Sequence, residues 1–148
     1  MKRTLFIAGI GTIGLLTMFS NGIAPQLQAA PATDAKDPAV SAAQSWLSVI
    51  DGGNYPESWK DAAPFFTNAV AEASWENSMN TYRKPLGDLL SRNLKSTHHL
   101  TKMPGAPDGQ YVVMQFNTSF ANKKSAIETV TVGPLQDNQW KVSGYYIK

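Results

Sequence analysis

Two side chains invite a chemical reading first. Glu128 falls on an alternating run with Ala126, Val130 and Val132, and His98 on one with Leu94, Ser96 and Leu100. A period of two puts each set on one face of a strand. Both sets read as the core side of a sheet. A carboxylate buried there costs on the order of several kcal/mol unless it is paired or hydrogen-bonded. Glu128 therefore needs a partner, and His98, Arg83 and Arg92 are the candidates. In a pocket, His98 and Glu128 would be a general acid/base pair, with Tyr82 or Tyr146 donating a hydrogen bond to a ligand. Arg83 and Arg92 would add affinity for an anion or an acidic partner. The competing reading is a buried structural ion pair. A register slip of one residue would instead turn Glu128 to solvent.

Other chemistries lack their residues. The chain has no cysteine, which removes disulfides, thiolate zinc sites and cysteine nucleophiles. His98 and His99 are adjacent on a strand and point to opposite faces, so they do not share an ion, and no metal site is expected. There is no Gly-x-Ser-x-Gly elbow, P-loop or dinucleotide fingerprint. No cofactor is expected.

Helices come first. Asp37-Pro38 supplies an N-cap and a proline at the first helical position. Ala39, Ala42, Ala43, Trp46, Val49 and Ile50 then form an apolar stripe, and Asp51-Gly52-Gly53 ends it. Tyr55-Pro56 opens a second helix with Trp59, Ala62 and Ala63 on its apolar side. A third helical stretch covers about Phe65 to Arg83, broken near Ser74, with Phe66, Val70, Ala73, Met79 and Tyr82 inward and Trp75 nearby. Pro85 and Gly87 stop it. After Gly87 the period changes to two, and four strands follow, joined by short connections. Such strands pair antiparallel. The class is α+β, with N-terminal helices packed on a curved four-stranded antiparallel sheet. On the last strand Trp140, Val142, Gly144 and Tyr146 share the core face. Tyr145 and Ile147 then join Tyr111, Val113 and Ile127 in an apolar patch on the outer face.

The first 32 residues read as an export signal: Lys2 and Arg3, an apolar stretch from Leu5 to Phe19, then a polar, proline-containing flank. Small residues allow cleavage after Ala29 or Ala32. The apolar stretch is short for a membrane span, and no integral span is expected after cleavage. Residues 33–36 form a tail, and 37–148 a single domain. The chain carries 13 Lys+Arg and 11 Asp+Glu. The leader holds two of those bases and no acid, so the exported form is formally neutral. Bulk electrostatics give no case for nucleic acid.

Several linked segments look familiar: Ala42-Ala43-Gln44-Ser45-Trp46-Leu47, Ile50-Asp51-Gly52-Gly53-Asn54-Tyr55, Arg83-Lys84-Pro85-Leu86-Gly87, Pro104 to Val113, and Trp140-Lys141-Val142-Ser143-Gly144-Tyr145. Together they resemble domain-of-unknown-function family 4019, an exported bacterial family. The resemblance implies a periplasmic or secreted location and no activity. More loosely, the order of elements is similar to the cystatin-like superfold of nuclear-transport-factor-2-like domains and ketosteroid isomerases. There a curved sheet wraps helices and can leave a pocket, and the fold alone does not assign a function.

The expected function is a small, non-enzymatic module of the cell envelope that binds a small ligand or an envelope protein. One alternative is an acid/base enzyme using His98 and Glu128. Another is a homo-oligomeric structural module using the outer sheet face.

Overall fold

The computed structural model describes residues 5–7 and 37–148. The cleavage positions and the tail lie outside the described residues. Helices α1 (Pro38–Asp51), α2 (Tyr55–Lys60), α3 (Pro64–Ala69) and α4 (Glu72–Ser78) follow strand β1 (Leu5–Ile7), and strands β2 (Leu89–Leu100), β3 (Tyr111–Phe120), β4 (Lys123–Val132) and β5 (Val142–Ile147) follow the helices. The sheet order is β1-β5-β4-β3-β2, antiparallel throughout. The four expected strands form its body, and the helices pack on their apolar face. Three-residue β1 is an addition at the β5 edge, drawn from the segment read as a leader.

α1 starts as its sequence dictates. The Asp37 side chain accepts from the Ala39 amide at 2.8 Å, and Pro38 holds the first helical position. Ala39, Val40, Ala43, Trp46, Leu47 and Ile50 are buried. The buried face is rotated from the expected stripe: Val40 and Leu47 lie inside it, and Ala42 and Val49 are only half-buried at its edge.

Tryptophans knit α1, α2 and α4 together. Trp46 Nε1 donates to the Ser58 carbonyl at 2.8 Å, and Trp75 Nε1 donates to Ser58 Oγ at 3.0 Å. Ser58 Oγ in turn donates to the Tyr55 carbonyl at 2.7 Å. The indole of Trp75 meets Phe66 edge-on, with centroids 5.1 Å apart. Each buried N–H thus has an acceptor, as burial of such a polar group requires.

The third helical stretch differs from expectation in two ways. Its break falls at Val70 and Ala71 rather than near Ser74. Its last turn is a π-helix over Met79–Arg83, followed by a 3-10 turn, Lys84–Leu86. A π-turn holds more residues than an α-turn. Met79 and Arg83 share the inward face, and Tyr82, expected inward, is exposed, as is Ala73.

Two β-bulges reverse the expected parity. In β2, Leu94 pairs with Phe116 and Ser96 with Gln115, so Lys95 is an extra residue. Beyond it Thr97 faces the core and His98 faces out. In β5, Val142 pairs with Val132 and Gly144 with Thr131, so Ser143 is extra. Beyond it Tyr145 and Ile147 face the core and Tyr146 faces out. An inserted residue moves every later side chain of the strand to the opposite face. Tyr145 and Ile147 accordingly leave the expected outer patch, and Tyr111, away from both bulges, is buried too, its hydroxyl donating to the Pro107 carbonyl.

Ser58→Ala leaves the buried Trp75 N–H without its acceptor. It should cost about 1–3 kcal/mol of stability, measured by urea unfolding.

Candidate functional site

Six elements each bring one polar side chain to a single region beneath the sheet. α1 ends on Asp51, the π-turn delivers Arg83, and the inward faces of β2, β3 and β4 deliver Arg92, Thr118 and Glu128. β5 adds Tyr145, so the sheet contributes from every strand of its body.

Arg92 is the hub. Its Nε donates to Glu128 Oε2 at 2.6 Å, and its Nη2 to Glu128 Oε1 at 3.2 Å. Its Nη1 donates to Asp51 Oδ2 at 2.6 Å, and the same Nη2 to Asp51 Oδ1 at 2.9 Å. Thr118 Oγ1 donates to Glu128 Oε2 at 2.7 Å, and the Tyr145 hydroxyl to Oε1 at 2.5 Å. Each Glu128 oxygen thus accepts two hydrogen bonds, which fills a carboxylate's lone pairs. Glu128 has no solvent exposure, whereas the Asp51 side chain is 18 % exposed. The network runs from the core to the surface.

Arg83 closes the outer end. Its Nη2 donates to Asp51 Oδ1 at 3.0 Å and its Nη1 to the Gly87 carbonyl at 2.8 Å. The guanidinium lies over the Phe120 ring, 4.3 Å from its centroid, a cation–π contact. Its Nε is buried without a partner among the described residues. Gly87 adopts φ 77° and ψ −161°, a region that glycine alone occupies readily. A Cβ there would also stand 3.1 Å from Ala121 and Asn122. The carbonyl that holds Arg83 thus depends on a glycine.

The electrostatics follow from this pairing. Burial pushes the Asp51 carboxyl up, but Arg92 and then Arg83 outweigh it and hold it below the usual carboxylate range. Burial also acts against the Arg92 charge, yet its bonds to Asp51 and Glu128 leave the guanidinium held more firmly protonated than usual. Burial, reinforced by Glu128, lifts the Tyr145 hydroxyl well above the ordinary tyrosine value. Two acids and two bases sum to zero, as a buried cluster must approach.

Glu128 is buried and paired with Arg92, both named from the sequence. Arg83 joins the same network through Asp51 rather than touching Glu128. His98 is a correction: the Lys95 bulge puts it on the exposed outer face, so it makes no acid/base pair with Glu128. Tyr82 lies 37 % exposed on the outside of the π-turn. Tyr146 faces outward, half-buried, and it is Tyr145 whose hydroxyl points inward, donating to Glu128 rather than to a ligand. Asp51, Thr118 and Tyr145 were not anticipated. Asp51 had a signal, because an acid in the last turn of a helix faces the negative end of the dipole and calls for a cationic partner.

A cleft of about 320 Å³ opens at the surface end of the network. Asp51, Tyr55, Asn80, Arg83, Lys84 and Asp88 line it, with the Gly52-Gly53 turn and Gly87 at its edges. A larger groove of about 570 Å³ runs between α3 and the loops around Pro107 and Pro134, and shares no residue with the network. Among the described residues, no three His, Cys, Asp or Glu side chains gather as a metal-binding group, and no helix is long and apolar enough to cross a membrane.

Glu128→Leu strands Arg92 in the core with half its partners and should cost about 3–5 kcal/mol. Arg92→Met combined with Glu128→Leu should cost clearly less than the two single changes added together, read from a double-mutant cycle in urea.

Asp51 makes a pH-dependent contribution. Its folded pKa is depressed, so its stabilisation is present above the unfolded value near 3.8 and is lost as pH falls through the folded pKa. Asp51→Asn should flatten that acid limb in unfolding midpoints measured below pH 4.

No curated protein matches the chain in sequence. A family model does, over residues 42–145, described as "Protein of unknown function (DUF4019)". That span runs from the middle of α1 through Tyr145 and takes in every side chain of the network, and the chain belongs to this family.

Proposed function

We propose that this domain is a non-enzymatic binding module that works in the cell envelope after export, with the cleft beside Asp51 as its ligand site. The observation that carries the reading is the occupancy of Glu128. Both of its oxygens are filled by Arg92, Thr118 and Tyr145. A general base needs a free lone pair within reach of a substrate proton, and this carboxylate offers none. The network instead holds a wall still, and a pre-formed wall beside a small polar cleft suits binding.

Export is supported by the N-terminal pattern of Lys2-Arg3, the apolar stretch Leu5 to Phe19 and the small residues before Thr33. With no cysteine in the chain, the exported form is held by packing and not by disulfides.

Thermal-shift measurements against fractionated envelope extract test this reading. A low-molecular-mass fraction should raise the melting temperature of the protein and not that of an Asn80→Ala/Lys84→Ala variant. Both side chains are exposed and lie outside the ion network, so the variant should fold normally. No stabilisation by any fraction, or equal stabilisation of both proteins, would overturn the assignment.

A further inference from the structure

The geometry points to a net-neutral, hydroxyl-rich small molecule, a sugar unit or a similar polyol, as the ligand of the cleft beside Asp51; this rests on the binding reading above. Size comes first. At about 320 Å³ the cleft sits at the small end of the range for small-molecule sites, room for one compact unit. Its lining is mostly polar, so an aromatic or aliphatic ligand would gain little from burial there.

Charge narrows the class. Two acids, Asp51 and Asp88, and two bases, Arg83 and Lys84, line the cleft, so the lining is balanced, and the Arg92–Glu128 pair behind it is balanced too. An anion would approach Asp51 and Asp88, and a cation would approach Arg83 and Lys84. Either would meet a like charge within the same small space. A neutral ligand meets neither penalty.

Hydrogen-bonding capacity narrows it further. Among the described residues Asp51 Oδ2 accepts one bond, from Arg92, which leaves a lone pair on a partly exposed carboxylate. Two guanidinium groups hold that carboxylate ionised and oriented, so it accepts a hydroxyl without rearranging. The side-chain heads of Tyr55, Asn80, Lys84 and Asp88 have no partner among the described residues. Tyr55 and Lys84 donate, Asp51 and Asp88 accept, and the Asn80 amide does both. A hydroxyl also donates and accepts, so a ring of hydroxyls can use every one of these groups at once. A single carboxylate or ammonium cannot. Along the π-turn Arg83 points inward while Asn80 and Lys84 remain exposed beside the cleft.

Amide chemical shifts of the ¹⁵N-labelled full chain test the inference, with N-acetylglucosamine and glucose as probes and inorganic phosphate and glycine as charged and zwitterionic controls. At least one sugar should move the amides of Gly52, Gly53, Asn80, Lys84 and Gly87, and neither control should do so at equal concentration. Asn80→Ala should weaken that sugar about fivefold, the loss of one hydrogen bond, with the rest of the spectrum unchanged. Phosphate or glycine moving these amides ahead of the sugars, or no response to either sugar, would overturn the ligand class. If an extract fraction stabilises the protein and the sugars do nothing, the binding reading stands and the polyol falls. If a sugar binds and is chemically altered, the polyol stands and the non-enzymatic reading falls.

Discussion

One guanidinium ties the helical layer to the sheet. Arg92 reaches Asp51 at the end of α1 and Glu128 in the middle of β4 with a single planar fork. Without it Asp51 would stand at the negative end of its own helix dipole, and Glu128 would be a charge buried in an apolar core. Two otherwise unfavourable acids are made tenable by one base. A lysine could not do the same, because it offers a compact point charge where two carboxylates must be gripped from fixed directions.

Such a cluster is not a cheap way to stabilise a domain. Desolvating several charges offsets much of their mutual attraction, and an apolar replacement of the same volume can serve as well or better. What the cluster does supply is direction. Leu or Met at these positions would tolerate α1 sliding or turning by a fraction of a residue; the bidentate contacts do not. Thr118 and Tyr145 complete the arrangement by filling the lone pairs that Arg92 leaves open. The exception is Arg83 Nε, buried without a partner among the described residues. The ring of Phe120 faces that guanidinium and offsets part of the loss.

The order and type of the elements could be read from local chemistry. Asp37-Pro38 starts α1, Gly52-Gly53 ends it, and alternation marks each strand. Glu128 also stood out, because one carboxylate among Ala126, Val130 and Val132 has to be accounted for. The errors lie downstream of bulges. His98 and Tyr146 were assigned to the core by counting in twos, and Lys95 and Ser143 each add one to the count. Nothing in the identity of a lysine or a serine announces a bulge. Where one falls is settled by how the neighbouring strand must twist, which is a property of the whole sheet. Tyr82 failed for a related reason, since a π-turn changes the angle between residues that a helical wheel treats as constant.

Irregularities that defeat periodic reading also take part in building the site. Regular alternation through β5 would put Tyr146 inward and leave Glu128 without the Tyr145 hydroxyl. A regular α-turn over Met79–Arg83 would bring Tyr82 closer to the face that Met79 buries. The Ser143 bulge thus places a polar head that a regular strand would misdirect, whereas the Lys95 bulge lies beyond Arg92 and leaves it where alternation puts it. After the π-turn the Gly87 backbone supplies the acceptor for Arg83 Nη1 in a conformation other residues resist. A strand gains nothing from a bulge in its own hydrogen bonding. The one at Ser143 is therefore best explained by the Tyr145 hydroxyl that it turns toward Glu128. The outermost members of the network, Asp51 and Arg83, form the inner wall of the cleft.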